Sequence, residues 1–351
     1  MLKIQSSIAS QFLPELPSRS LERLQNEAQA RKSRYRPSTT PSKPSPSLRS
    51  LFNNTPYHLY SIWLFSCADI KIVIIPKPLF GAATALAASV FAIPSSSIPS
   101  NYTLISRIPL AIAWCWINLL YFNIGNQRQP GAPEEDAANK PWRPIASKRM
   151  TVVQATRLLL VVLPAALLFS IYLRAGIMQC LGLMAMAYWY NDLNGSEGNV
   201  VRNFLNALGF VLHASGAMEV VLGGHVQYTP LLRSWFLIIG LIVSTTVHSQ
   251  DMADQAGDKL RARRTIPLVI GDAWSRWSIS IPMVFWAFFC PWYLSMRLVG
   301  YILPVVLGSL VAVRQVVKRN DADDKRTFLL WNVWMVMVYL LPLVKKISES
   351  L

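Results

Sequence analysis

The chain has 351 residues, 52% hydrophobic and 15% charged, with a formal net charge of +16. Its mean hydropathy is +0.32. That balance excludes an ordinary soluble two-domain protein and points to a multi-span membrane protein, whose basic loops flank apolar helices.

Residues 1–56 are rich in Ser, Pro, Arg and Lys, as in "ARKSRYRPSTTPSKPSPSLRS". Such a stretch buries too little apolar surface to offset its ordering entropy, so a disordered basic N-terminal tail is predicted, with no secretory signal. Residues 57–351 form the predicted transmembrane domain.

Apolar runs follow at 57–76, 79–97, 104–123, 152–172, 175–192, 202–223, 230–250, 275–296, 299–317 and 327–345. Each crossing needs about 20 helical residues, and lipid satisfies no backbone group, so every span is predicted helical. Only "PKP" separates the first two runs. Counted as one broken crossing they give about nine transmembrane helices, an all-α polytopic bundle. Cations concentrate in three connections, 124–150, 251–276 and 318–326. Four spans separate the first two and two separate the last pair, so all three share one face. The bias of Lys and Arg makes that face cytosolic, with the endoplasmic reticulum as the expected membrane. The cysteines Cys67, Cys115, Cys180 and Cys290 lie in apolar stretches without CxxC spacing and are read as packing residues.

Two of the charged loops carry chemistry. In "SQDMADQAGDKLRARRT" (249–265), Asp251, Asp254 and Asp258 are spaced i, i+3, i+7, one face of a helix. Three carboxylates this close repel one another unless a cation joins them. Mg²⁺ fits, since it takes oxygen ligands and binds substrate phosphates through one or two carboxylates. The following Lys259, Arg261, Arg263 and Arg264 suit phosphate oxygens. The partner loop, "YFNIGNQRQPGAPEEDAANKPWRPIASKRM" (121–150), supplies Asn126, Glu134, Glu135 and Asp136, then Lys140 and Arg143 between Pro141 and Pro144. The prolines stiffen the backbone that carries Arg143.

These loops resemble the two aspartate-rich signatures of the UbiA superfamily of intramembrane prenyltransferases. "DMADQAGDKLRARRTIPLVIGD" resembles its D-x-x-D-x-x-G-D stretch with the basic element after it, and "NKPWRPIASK" resembles its N-R-P-L-x-S-G. The first loop departs from the pattern: acidic residues usually stand four and eight positions after the Asn, here Pro130 and Glu134. That departure, with "FSCADIKIVIIP" (65–76) and "YNDLNGSEGNVVRNFLNALG" (190–209), resembles a fungal branch of membrane-bound terpene cyclases.

The resemblance implies a UbiA-like helical bundle around a cavity capped by the motif loops, over roughly residues 57–345. It implies Mg²⁺ as cofactor and a linear prenyl diphosphate, farnesyl or geranylgeranyl, as substrate. Carried over, the metal ligands would be Asn126, Glu135, Asp136, Asp251, Asp254 and Asp258, with the four aspartates catalytic. Asn126, Lys140, Arg143, Lys259 and Arg264 would hold the diphosphate.

Asp69 and Lys71 are charges inside an apolar stretch, functional candidates by default; Lys71 is placed facing the diphosphate. Asn191 and Asp192 close a span beside the site. Glu219 is either a functional acid or a paired one. His213, His225 and His248 lack metal-ligand spacing and are read as packing or interfacial. The expected reaction is class I, ionisation-initiated cyclisation. The alternative is transfer of the prenyl cation to an aromatic or quinone-precursor acceptor. A transporter or a nucleic-acid partner is set aside, because the paired acidic and basic loops lie outside the spans; the lipid bilayer remains the expected partner.

Overall fold

The computed structural model describes residues 48–350. The expected tail lies outside them except for its last residues, which enter α1 (Leu48–Ser66). Thr55–Leu351 forms one unit, built from α2 (Pro76–Leu86), α3 (Asn101–Gln127), α4 (Ala132–Asn139), α5 (Val152–Leu173), α6 (Ile177–Asn191), α7 (Asn199–Leu222), α8 (Pro230–Thr246), α9 (Gln255–Leu260), α10 (Ile266–Ile270), α11 (Asp272–Tyr293), α12 (Val299–Val317) and α13 (Asp321–Ser350).

Among the described residues, seven helical segments are long and apolar enough to cross a membrane: Thr55–Leu86, Asn101–Gln127, Val152–Leu173, Asn199–Leu222, Pro230–Gln250, Val299–Val317 and Asp321–Ser350. With α6 and α11 they make nine long segments, close to the expected count. The first two apolar runs form one bent segment. A 3₁₀ turn at Cys67–Asp69 and a π turn at Ile70–Ile74 interrupt it just before Pro76, which has no N–H to continue the ladder. The bend turns Asp69 and Lys71 towards the charged loops.

α7 is the central helix and packs against α2, α3, α6 and α8, while α13 closes the ring by returning to α2. At the extremes, hydropathy runs opposite to burial. α7 is 72% buried at a hydropathy of 1.4, whereas α5 is 17% buried at 2.1. Lipid rewards apolar surface outside, which leaves the interior to carry polar groups.

Several tryptophans are interior residues. Trp114 donates to Ser170 Oγ at 2.8 Å and Trp331 to Thr246 Oγ1 at 2.9 Å, pinning neighbouring helices together. The four cysteines are free. His213 Nδ1 donates to the Gly209 carbonyl of its own helix, and His248 meets Asn203 and Ser278. Glu219 is a paired acid: it accepts from the Gly176 amide, Gln179 and Tyr228, with His225 beside it.

Candidate functional site

The first loop folds inward because Gly131, at φ 76°, reverses the chain ahead of α4, with Pro133 in its first turn. α4 then presents Glu135 and Asp136 to the interior and Glu134 to solvent. Arg143 Nη1 donates to Asp136 Oδ1 at 2.7 Å, and Lys140 Nζ reaches across to Asp254 Oδ2 at 2.8 Å. Asn126 lines the same interior and donates to Asn191 Oδ1 at 3.2 Å.

The second loop begins where α8 tightens into a 3₁₀ turn at Val247–Gln250. Asp251–Asp254 are turns, and only from Gln255 does an α-helix follow. The three aspartates nevertheless point inward, each to its own basic partner. Asp251 is held by a guanidinium fork, Arg202 Nη2 to Oδ1 at 2.8 Å and Nε to Oδ2 at 3.4 Å. Asp254 takes Lys140. Asp258 faces Arg263 at 3.4 Å.

The two loops pack closely at Gly257, where a Cβ would lie 2.2 Å from Asn139 Nδ2. That amide donates to the Asp254 carbonyl at 3.1 Å. The glycine of the D-x-x-D-x-x-G-D stretch therefore makes room for the other loop.

α9 ends in a Schellman turn: Arg263 N–H donates to Asp258 O and Ala262 N–H to Lys259 O, with Ala262 left-handed at φ 55°. The reversal decides which cations enter the site. Arg261 and Arg263 turn in and clamp Glu135, at 3.0 and 2.8 Å. Lys259 and Arg264 are exposed, and neither lines the cavities below. The Arg264 contribution is its backbone amide, which donates to Glu197 O at 3.0 Å.

Two adjoining cavities open at this end of the bundle. The inner one, about 160 Å³, is lined by Asn126, Glu135, Arg143, Tyr190, Arg202 and Arg263, with Leu119, Phe122 and Phe210 on its apolar side. The outer one, about 300 Å³, is lined by Lys71, Trp142, Lys325 and Phe328. Asp69, Ile72, Lys140, Gln250 and Asp254 belong to both. Asp69 accepts from Asn123 at 2.8 Å. Asp192 pairs with Arg128 at the edge.

Sequence reasoning passed over Arg202, which also donates to Tyr190 Oη at 2.6 Å. Its signal was available: a cation at the edge of an apolar helix. Phe210 carried no signal, because only packing separates a cavity-lining ring from a lipid-facing one.

The electrostatics are uneven across the acids. Burial pushes the Asp136 carboxyl up despite Arg143 beside it. Burial also raises Asp258, and the Asp251 and Glu135 carboxylates add to it, to about 6. Asp254 stays below the usual carboxylate range: burial opposes this, but Lys140, Arg143 and Arg202 outweigh it.

Among the described residues no three Asp, Glu, His or Cys side chains converge on one point as a ready metal cage. The donor chemistry still fits Mg²⁺, which needs only one or two protein carboxylates. Asp258 Oδ2 and Asp136 Oδ2 are buried without a hydrogen-bond partner, and Asp254 faces the shared cavity. Asp251 and Glu135, expected as ligands, differ: both oxygens of each are already engaged by arginines.

Residues 82–334 match the UbiA prenyltransferase family. The chain is 26% identical over 302 residues to the fumagillin beta-trans-bergamotene synthase of Aspergillus fumigatus, covering 84% of this chain and 95% of that one. It is 26% identical over 253 residues to a diterpene cyclase of Hericium erinaceus, covering 71% and 75%. Its fold is similar to that of a UbiA homolog from Archaeoglobus fulgidus bound to GPP and Mg²⁺, with a TM-score of 0.51, 11% identity, and coverage of 78% and 98%. With the matched region spanning most of its bundle, the chain belongs to the UbiA prenyltransferase family.

Proposed function

We propose that this protein is a membrane-bound class I terpene cyclase acting on a linear prenyl diphosphate, farnesyl or geranylgeranyl, in terpenoid biosynthesis. The observation that carries the reading is the match to the bergamotene synthase over 95% of that enzyme's length. The Hericium relative, also a cyclase by name, supports it.

The residues take distinct roles. Lys140, Arg143, Arg202 and Arg263 hold the diphosphate at the inner cavity, with Asn126 on the same wall and Lys71 on the adjoining outer cavity. Asp254, Asp258 and Asp136 would hold Mg²⁺, which supplies Lewis-acid neutralisation of the leaving diphosphate. Asp251 and Glu135 keep Arg202 and Arg263 pointed at it. Positioned cations of this kind stabilise charge as the C–O bond breaks. The prenyl chain lies against Phe122, Tyr190 and Phe210, whose π faces stabilise a carbocation by roughly 0.5–2 kcal/mol each. The apolar wall excludes water that would quench it. Lys259 and Arg264, exposed, fall outside this assignment. The loops face the cytosol from the endoplasmic reticulum.

The alternative, transfer of the prenyl group to an aromatic or quinone-precursor acceptor, is favoured by the family's prenyltransferase members. Microsomes containing the protein, given farnesyl or geranylgeranyl diphosphate and Mg²⁺ without an acceptor, separate the two. A cyclic hydrocarbon extracted into hexane is the expected result. Product that forms only once a phenolic acceptor is added would sink the cyclase reading.

A further inference from the structure

Three lysines from separate parts of the fold face the outer cavity: Lys71 from the π turn, Lys140 from the first loop and Lys325 from the first turns of α13. Lys140 is engaged by Asp254 at 2.8 Å. Lys71 and Lys325 are exposed, and neither has an ion-pair or hydrogen-bond partner among the described residues. Of the three carboxylates in the first turn of α13, Asp323 turns to Arg314 and Asp324 to Arg276, and the exposed Asp321 makes no ion pair with Lys325. Asp69, the other acid on the wall, accepts from Asn123. Apart from Asn139 and Gln250 the remaining lining is apolar, notably Ala68, Ile72, Trp142 and Phe328.

We propose that Lys71 and Lys325 form an outer anion-docking station for the phosphate end of an amphiphile, ahead of the inner site. The proposal rests on the reading above for its substrate, a prenyl diphosphate. The inner guanidiniums are each pinned by a carboxylate, as Arg143 by Asp136 and Arg202 by Asp251. The Lys71 and Lys325 ammoniums are not. Lysine is a compact charge on a flexible stem, suited to catching and handing on an anion, whereas a pinned guanidinium holds one geometry. The adjoining apolar wall takes the chain while Lys140 and Asp254, common to both cavities, mark the path inward. The same chemistry fits an anionic phospholipid headgroup.

The test uses the full-length protein in phosphatidylcholine nanodiscs and two probes, radiolabelled farnesyl thiolodiphosphate and phosphatidylglycerol. Lys71→Gln and Lys325→Gln replace exposed side chains, and Lys325→Arg keeps the charge. Each glutamine variant is expected to weaken farnesyl thiolodiphosphate binding about 5–10-fold, since tenfold corresponds to about 1.4 kcal/mol. Lys325→Arg should restore most of it, and the deficit should shrink at high salt. Loss confined to phosphatidylglycerol assigns the station to lipid. If the double glutamine variant binds both probes as tightly as the parent, or the parent binds neither, the station is disproved. A parent that binds phosphatidylglycerol through these lysines but not the thiolodiphosphate overturns the prenyl-diphosphate reading alone.

Discussion

Lys140 Nζ donates to Asp254 Oδ2 at 2.8 Å, joining the basic part of one loop to the acidic part of the other. Each residue belongs to both cavities. In the proposed reaction this pair stands between the diphosphate and the metal.

Asp254→Asn is expected to abolish turnover, and Lys140→Met to lower it roughly 10–100-fold, about 1.4–2.7 kcal/mol of barrier. Hydrocarbon product and released diphosphate, measured with and without EDTA, check both. Activity surviving in Asp254→Asn would remove that residue from the metal assignment.

Gly257→Ala should misplace the first loop without unfolding the bundle. The added methyl meets Asn139, and the Asn139 bond to Asp254 O is lost. Overpacking of this kind costs about 1–3 kcal/mol. The expected readout is a large fall in activity with the thermal midpoint lowered by only a few degrees, because α4 and α9 pack chiefly on each other. Asn139→Ala in the same background should recover part of the activity by clearing the clash.

Arg276 is a structural cation on the same face. It binds Asp324 at 2.7 and 2.8 Å, Asp272 at 2.9 Å, and the Gln315 and Lys318 carbonyls, tying α11, α12 and α13 together. Arg276→Met leaves Asp324 buried and unpaired, a change worth about 3–5 kcal/mol. Thermal unfolding in detergent should show it. Asp324→Asn in that background should recover stability, as the stranded charge is gone.

Asp272 opens α11, and its hydrogen bond from Arg276 holds its carboxyl below the usual range. A depressed folded value means the unfolded chain binds the proton more readily, so the contribution is complete above about pH 4, the unfolded value. It fades as pH falls through the folded value. The thermal midpoint of Asp272→Asn should lie below the parent's at pH 6, and the gap should narrow as pH falls below about 4.

The acidic stretch from Asp251 to Asp258 and the helical bundle were legible because hydropathy and motif spacing are local properties. Asp69 and Lys71 were legible too, as charges that hydrocarbon penalises. The bend that carries them was placed at "PKP" and is found just upstream, at Cys67–Ile74. Choosing among Lys259, Arg261, Arg263 and Arg264 was not possible from spacing. That choice depends on Ala262 taking a left-handed conformation, which composition does not announce.

The sequence by itself determined that the chain is a membrane bundle, which loops share a face, and that acidic and basic stretches stand together on it. Hydrophobic run length and charge distribution suffice for that. Tertiary structure alone decided how the charges are matched: Asp251 to Arg202, Glu135 to Arg261 and Arg263, and Lys140 to Asp254. Pairing depends on distances between helices far apart in the chain, and in a buried site those distances set which charges are neutralised and which stay free for a ligand.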